Sequence, residues 1–456
     1  MIDTAVHQLR ELIDGAAFEP GDAGYADACT LFNAAIERRP AVVVRPASAA
    51  DVANAIRFAR QNGLPLAVRS GGHSAAGWSL CDGGVVLDMR SIDTIDVDAD
   101  ARIAKVGGGC ATGAVDRACQ AHGLATVTGR VSTTGIAGFT LGGGSGMLER
   151  RFGFAVDNLL EVELVTADGE LITADHATHS DLFWALRGGG GNFGVVMSLS
   201  FRLHPIEPVV TGGLILHHAD RGVALLHHLR TVMETAPEHL AVFMFYLYAP
   251  DDPSIPEDLR NKLAAGLMIS HSGPPGSAEK DLAPLRTFGP PAVDFVDETT
   301  WADLQCSIDD PPGYRNYMTS DHLVDLTDDA IDVINRYAHE LQRGPGWVVV
   351  FCWGGAVNRP ASPTPLNRDA RWVVHPGAFW EDPAEDENVR DWVRNFRGEL
   401  RPHTTGAVWL NWVGDEGDAR VRSAFSDDAY RRLQAVKQAY DPENVFRSNH
   451  NIAPSA

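Results

Sequence analysis

The stretch T-G-R-V-S-T-T-G-I-A-G-F-T-L-G-G-G-S-G at 128–146 constrains the fold more than any other part of the chain. So much glycine in one segment is either flexible filler or backbone held close to something else. Filler is monotonous and rich in Ser and Gly. Here Val, Ile, Phe and Leu stand among the glycines, which favours backbone laid against a ligand. A second glycine loop, R-S-G-G-H-S at 69–74, closes the apolar run L-P-L-A-V. A short apolar run closed by glycines is the signal of a buried strand. Gly71 and Gly72 let the backbone turn with positive φ, and successive N–H groups in such a turn form a concave anion site to which Arg69 adds charge. The loop is therefore a candidate cradle for a phosphate or pyrophosphate, with His73 at its tip. The alternative is an ordinary strand-to-loop turn carrying a surface histidine.

The surroundings support a ligand-binding layout. Residues 5–14 have helical apolar spacing, A-V-V-V-R-P predicts a strand stopped at Pro46, and Ala49 to Asn62 predicts a helix ended by Gly63. With the strand L-P-L-A-V-R this makes a βαβ plan, whose loops at strand ends face a ligand. Short strands follow at 83–89 and 101–107, then a helix from Ala111 to His122. Residues 159–173 predict a hairpin around Asp168-Gly169, and 195–203 an alternating strand. Beyond Pro205 the glycine clusters thin out. Strand-like runs (212–218, 241–248, 347–353) then alternate with amphipathic helices at 221–235 and 327–343, and a last helix covers 427–439.

Composition removes several functions. Sixty acidic against 38 basic residues give a net charge of -22, which argues against nucleic acid or anionic membrane as a partner. No run reaches the roughly 18–20 apolar residues of a membrane span. Six dispersed cysteines without a C-x-x-C pair argue against a disulfide framework or a zinc-cysteine site, and with the acidic N-terminus make a reduced, cytoplasmic setting the default. The chain lacks G-x-x-x-x-G-K-[ST] and G-x-S-x-G. Gly189-x-Gly191-x-x-Gly194 matches the dinucleotide fingerprint in letters, but it follows a helix and enters a strand, the reverse of the required context. His176 and His179 lack a third ligand and read as a solvated loop, and no metal is expected.

Taken together, these motifs resemble the flavoproteins of the vanillyl-alcohol oxidase type, in the berberine-bridge-enzyme-like branch. The resemblance is carried by V-V-V-R-P-A-S-A-A-D-V, L-A-V-R-S-G-G-H-S, G-G-G-C-A-T-G, T-G-I-A-G-F-T-L-G-G-G-S-G, F-A-V-D-N-L-L, D-L-F-W-A-L-R-G-G-G-G-N-F-G-V-V and the final Y-D-P-E-N-V-F-R-S-N-H-N-I-A-P. It is loose over 206–400, where substrate is chosen. It implies an α+β fold: a PCMH-type FAD-binding domain of two small α/β subdomains at 1–205, a substrate domain at 206–412 with an antiparallel sheet flanked by helices, and a C-terminal segment at 413–456 returning to the first domain. It further implies FAD as cofactor, covalently bound through one histidine, His73. In relatives with a second link, the cysteine aligns with Val131, so a single link is expected.

The cofactor residues implied are Arg69, Ser70, Gly71, Gly72, His73, Ser74, Gly77, Thr128, Gly129, Thr133, Thr134, Gly135, Gly138, Gly142, Gly143, Val195, Val196, Asn449 and Asn451. Thr134 aligns with the position that gates oxygen near flavin C4a, and its small side chain points to an oxidase rather than a dehydrogenase. A small organic alcohol or amine would be oxidised at flavin N5 with O2 as acceptor. The catalytic candidates are Tyr317, His375 and Asn411; Trp409 stands where relatives place a tyrosine base, so that duty would pass to Tyr317 or His375. Three alternatives stay open: an oxygenase or cyclase of natural-product assembly, a dehydrogenase, and a flavin-binding protein without activity. A homodimer also stays open.

Overall fold

The computed structural model describes residues 2–455, and side chains from Val6 onward. The βαβ plan of the N-terminal part is present with one addition. Ser48 caps the helix Ala49–Gln61 by accepting from the Asp51 N–H, and Val52, Ile56 and Ala59 of its inner face are buried. The strands it connects, Val42–Arg45 and Leu66–Arg69, are not neighbours. Val85–Asp88 lies between them, parallel to both, and Ala16–Phe18 completes a four-stranded sheet. The expected strand at 83–89 is thus the keystone of the sheet that carries the 69–74 loop.

A five-stranded antiparallel sheet follows, in the order Ile95–Asp98, Ile103–Gly107, Val195–Arg202, Leu159–Val165, Leu171–Asp175. Its last two strands form the expected hairpin, with Gly169 at φ +80° in the turn. Residues 209–380 build the large antiparallel sheet. Along its main path the order is Val293–Asp294, Val209–His218, Leu263–His271, Leu240–Tyr248, Trp347–Cys352, Trp372–Trp380, Arg315–Met318.

Period-two alternation divides this sheet into two faces. Met244, Tyr246, Val348 and Val350 pack against the helices Gly222–Met233, Asp328–His339 and Asp386–Leu400. Their neighbours Phe243, Phe245, Val349 and Phe351 face the opposite way, toward the glycine loops. The helix Asp386–Leu400 and the strands Leu263–His271 and Trp372–Trp380 extend the sequence-based assignment. The last of these is buried along its whole length and carries Pro376. Pro376 cannot donate to a neighbour, so the adjoining edge is split in two: Asp321–Leu323 pairs with Trp372–Val374, and Arg315–Met318 with Gly377–Trp380.

The chain ends by returning to its beginning. Lys437, on the helix Asp427–Tyr440, is fully buried and ion-paired to Asp441 at 2.6 Å. Its ammonium also donates to the carbonyls of Asn192 (2.8 Å) and Phe446 (2.9 Å). Asn192 in turn donates to His450 O and accepts from the Ile452 N–H.

Candidate active site

A cavity of about 920 Å³ lies between the glycine loops and the inner face of the large sheet. Its floor is mostly backbone. The 70–74 loop and the 133–138 segment meet so closely that a Cβ on Gly71 would lie 2.2 Å from Gly135 N. Only glycine permits that approach. The N–H groups of Gly71, Gly72, His73 and Ser74 have no protein acceptor. Gly188–Asn192, from the motif that failed the dinucleotide test, joins the same floor, and a Cβ on Gly138 or Gly191 would meet nothing within 4 Å. The roof is aromatic: Phe243, Phe245, Trp347, Phe351, Trp409 and Trp412 line it.

Of the residues expected at the cofactor, Ser70, Gly71, Gly72, His73, Ser74, Gly129, Thr134, Gly135, Gly138, Gly142, Val196 and Asn449 line the cavity. His73 stacks on Phe32 at 4.4 Å, and its Nε2 lies 2.9 Å from Thr133 Oγ1. Burial pushes the imidazole down to about 4, against the opposing pull of Asp309, so the ring is neutral at pH 7. A neutral imidazole keeps a lone pair for bond formation. Val131 also lines the cavity, and none of the six cysteines does.

Other expectations need correction. Arg69 does not line the cavity: its guanidinium donates to Ala28 O at 2.6 Å and Asp27 O at 3.4 Å, bracing the loop from behind. Thr128 uses its hydroxyl to donate to the buried Asp116 carboxyl (2.6 Å) and to accept from Gln305 (2.8 Å). Gly77 (φ +72°) closes a turn onto Ser74 O beside Ile36, and Gly143 (φ +116°) lies against Trp409. Val195 alternates into the core, leaving Val196 at the cavity. Asn451 lies outside the lining, with its Oδ1 buried and without a partner.

The catalytic candidates separate as clearly. Tyr317 does not reach the cavity. On the strand Arg315–Met318 it points with Arg315 toward the helix Asp386–Leu400, packing near Val389 and Val393, and it is Met318 that faces the cavity. His375 does line the cavity. Its Nδ1–H donates to Thr319 O at 2.7 Å, an acceptor set free where the split edge bulges past Pro376. Trp412 stacks on its ring at 4.9 Å, and Nε2 has no protein partner. Burial pushes this histidine also down to about 4, aided by the repulsion of Arg130. Asn411 lines the cavity and donates to Phe139 O at 2.8 Å, its Oδ1 resting on Gly142. Trp409 is buried among Phe154, Trp353 and Trp412.

Sequence reasoning missed four contributors: Phe32, Arg130, the Gly188–Asn192 loop and Asp309-Asp310. Arg130 is mostly buried, with its side chain 9% exposed, is paired with Glu149 at 2.7 Å, and lies over the Phe351 ring at 4.4 Å. Asp309 accepts from the Ser132 N–H at 2.6 Å, next to the threonine that holds His73. The basic residue inside T-G-R-V was the only available signal for Arg130. The aspartates come from a distant loop with no motif.

Comparison with known proteins decides the family. The FAD binding domain family matches residues 40–175, and the berberine and berberine-like family matches 408–453. The (R)-6-hydroxynicotine oxidase of Paenarthrobacter nicotinovorans is 30% identical over 456 residues, spanning 97% of each chain. The chain belongs to the berberine-bridge-enzyme-like FAD-linked oxidoreductases. Among solved structures, 6-hydroxy-D-nicotine oxidase from Arthrobacter nicotinovorans superposes with a TM-score of 0.87 at 29% identity, over 97% of this chain and 98% of that one. The glucooligosaccharide oxidase of Acremonium strictum, described with a 6-S-cysteinyl, 8α-N1-histidyl FAD, shares the fold at TM-score 0.88 and 22% identity over 99% of each chain.

The site fits an FAD-linked oxidoreductase. The unpaired N–H groups of 71–74 suit a pyrophosphate, and the bare backbone of the floor suits a long flat ligand. Asn449 Oδ1, at the cavity, is buried without a partner and waits for a donor. The cavity volume lies at the upper end of the ~300–1,000 Å³ usual for ligand sites. Among the described residues, no helix is long and apolar enough to cross a membrane.

Proposed function

We propose that this FAD-linked oxidoreductase is an oxidase of a small, flat organic alcohol or amine, with O2 as electron acceptor. FAD supplies the hydride acceptor; the protein supplies orientation and a place for the O–H or N–H proton. The observation that carries the reading is His375. A neutral ring fixed through Nδ1 presents a free Nε2 lone pair to the cavity, from a roof of aromatic and aliphatic side chains. Nε2 accepts the substrate's O–H or N–H hydrogen bond and takes up the proton as the C–H bond breaks. Burial and Arg130 keep the ring neutral at pH 7, so its Nε2 lone pair is available to the substrate. Trp412 and Phe351 flank the ring and offer faces to a planar substrate.

In the same reading FAD is bonded through His73 alone, since Val131 occupies the place of the second link and no cysteine lines the cavity. Residues 1–205 and 413–456 hold the cofactor, and 206–412 roof it. The Paenarthrobacter relative, an oxidase by name, supports the choice of acceptor. Thr134, at the cavity, leaves room for O2.

The test is peroxide release from the purified holoenzyme on a panel of small aromatic alcohols and cyclic amines. One H2O2 per oxidised product supports the reading. Flavin reduced by substrate without peroxide would make the enzyme a dehydrogenase, and incorporation of oxygen into product would make it an oxygenase.

A further inference from the structure

Outside the cavity, three side chains from three separate segments converge on one point. His239 precedes the strand Leu240–Tyr248, His271 ends the strand Leu263–His271, and Asp281 lies in the helix Ala278–Arg286. His239 Nε2 is 2.8 Å from Asp281 Oδ2, and His271 Nε2 is 3.0 Å from the same oxygen. All three donor atoms lie within 4.8 Å of one another. Ser277 Oγ is a fourth, 3.2 Å from His271 Nε2. None of the four residues lines the cavity.

We propose that this cluster is a divalent-metal site of the zinc type, with His239, His271 and Asp281 as ligands. Two imidazole nitrogens and one carboxylate oxygen, with a fourth position for Ser277 or water, are a donor set that zinc accepts. Zinc bonds of ~2.0–2.1 Å in a tetrahedron separate neighbouring donors by about 3.3 Å. The observed separations of 2.8 and 3.0 Å are within a few tenths of that value, so an ion enters with small side-chain shifts. The surrounding loop is shaped to the pair of rings. In S-G-P-P-G-S (272–277), a Cβ on Gly273 would lie 2.4 Å from His239 Cδ2 and 2.7 Å from His271 Cε1. The site is also reachable: the His271 side chain is 3% exposed, but His239 is 25% and Asp281 15% exposed. A bound ion would staple the strand end, the loop and the helix together at the rim of the large sheet, far along the chain from the cofactor loops.

The test uses untagged holoenzyme stripped with a chelator and titrated with ZnCl2 by calorimetry, then with CoCl2 by visible absorption. The proposal expects one zinc per chain, a thermal midpoint raised by zinc, and a cobalt d–d band. His239→Gln, at a partly exposed position, should keep its flavin spectrum while binding zinc at least tenfold more weakly, and Asp281→Asn should do the same. The absence of stoichiometric zinc and of a cobalt band in the unaltered holoenzyme would overturn the proposal without requiring any variant to fold. Zinc bound equally well by His239→Gln and Asp281→Asn would place the ion elsewhere and overturn it too.

Discussion

Thr133 Oγ1 lies 2.9 Å from His73 Nε2, and this contact holds the ring in its place beside the cavity. In the tautomer that donates Nε2–H to the hydroxyl, the lone pair is on Nδ1, which has no protein partner. Thr133→Val keeps the volume and loses the bond. We expect its yellow protein to release much of its flavin on acid precipitation, whereas the unaltered protein retains flavin on the peptide containing His73. His73→Ala should release all of it. Flavin retained in full by Thr133→Val would remove Thr133 from any part in attachment.

His375 and Tyr317 were equal candidates in the sequence and are opposed in space. His375→Phe should preserve the aromatic roof and lower kcat by ~10²–10⁴-fold, the usual contribution of a positioned base. Tyr317→Phe should leave kcat unchanged, because the ring packs against a helix outside the cavity. Steady-state rates on any substrate that yields peroxide distinguish the two.

Asp116 gives the protein a pH-dependent stability of unusual sign. Burial raises its carboxyl from 3.8 to about 7, despite hydrogen bonds from Thr128, Trp301 and Gln305. A carboxyl whose pKa is higher folded than unfolded stabilises the fold below about pH 4, and that contribution is lost as the pH rises through about 7. Asp116→Asn should lack this component. Urea midpoints measured from pH 4 to 8 should therefore converge, or cross in favour of the variant, toward pH 8.

Lys437→Met should be among the costliest single changes in the C-terminal segment. It leaves the Asp441 carboxylate buried, with only the Val445 and Phe446 N–H groups as partners, and removes donors from Asn192 O and Phe446 O. Breaking a buried pair in this way costs about 3–5 kcal/mol. A clear fall in the thermal midpoint, with weaker retention of any non-covalent flavin, is the expected result.

The cradle was legible in the sequence because glycine is conspicuous: Gly71 and Gly135 meet backbone to backbone, and no other residue fits there. The alternation of Phe243, Phe245, Val349 and Phe351 was equally readable as strand, but its direction was not. Period two assigns neighbours to opposite faces without saying which face meets the cofactor. Tyr317 and Met318 show the cost of that ambiguity, since a shift of one residue exchanges the group inside with the group outside. Thr128 and Arg69 were assigned by motif and are engaged elsewhere, because a motif does not show which neighbour will claim a hydroxyl or a guanidinium. Asp309, Asp310 and Phe32 are joined to the site only by folding, from loops without internal pattern. Pro376, which would argue against a central strand, sits at the one place where the paired edge changes over.

The clamp around Lys437 also sets an order of events during synthesis. Its partner carbonyl on Asn192 is 245 residues earlier in the chain. At ~5–20 residues per second, the ribosome takes about 12–50 s to cover that distance. Throughout that interval the floor of the cavity is exposed in the nascent chain without the segment that braces it, while the roof is still being made. Stable capture of the cofactor is therefore a late event, which waits for the segment around Lys437 to reach the floor it braces.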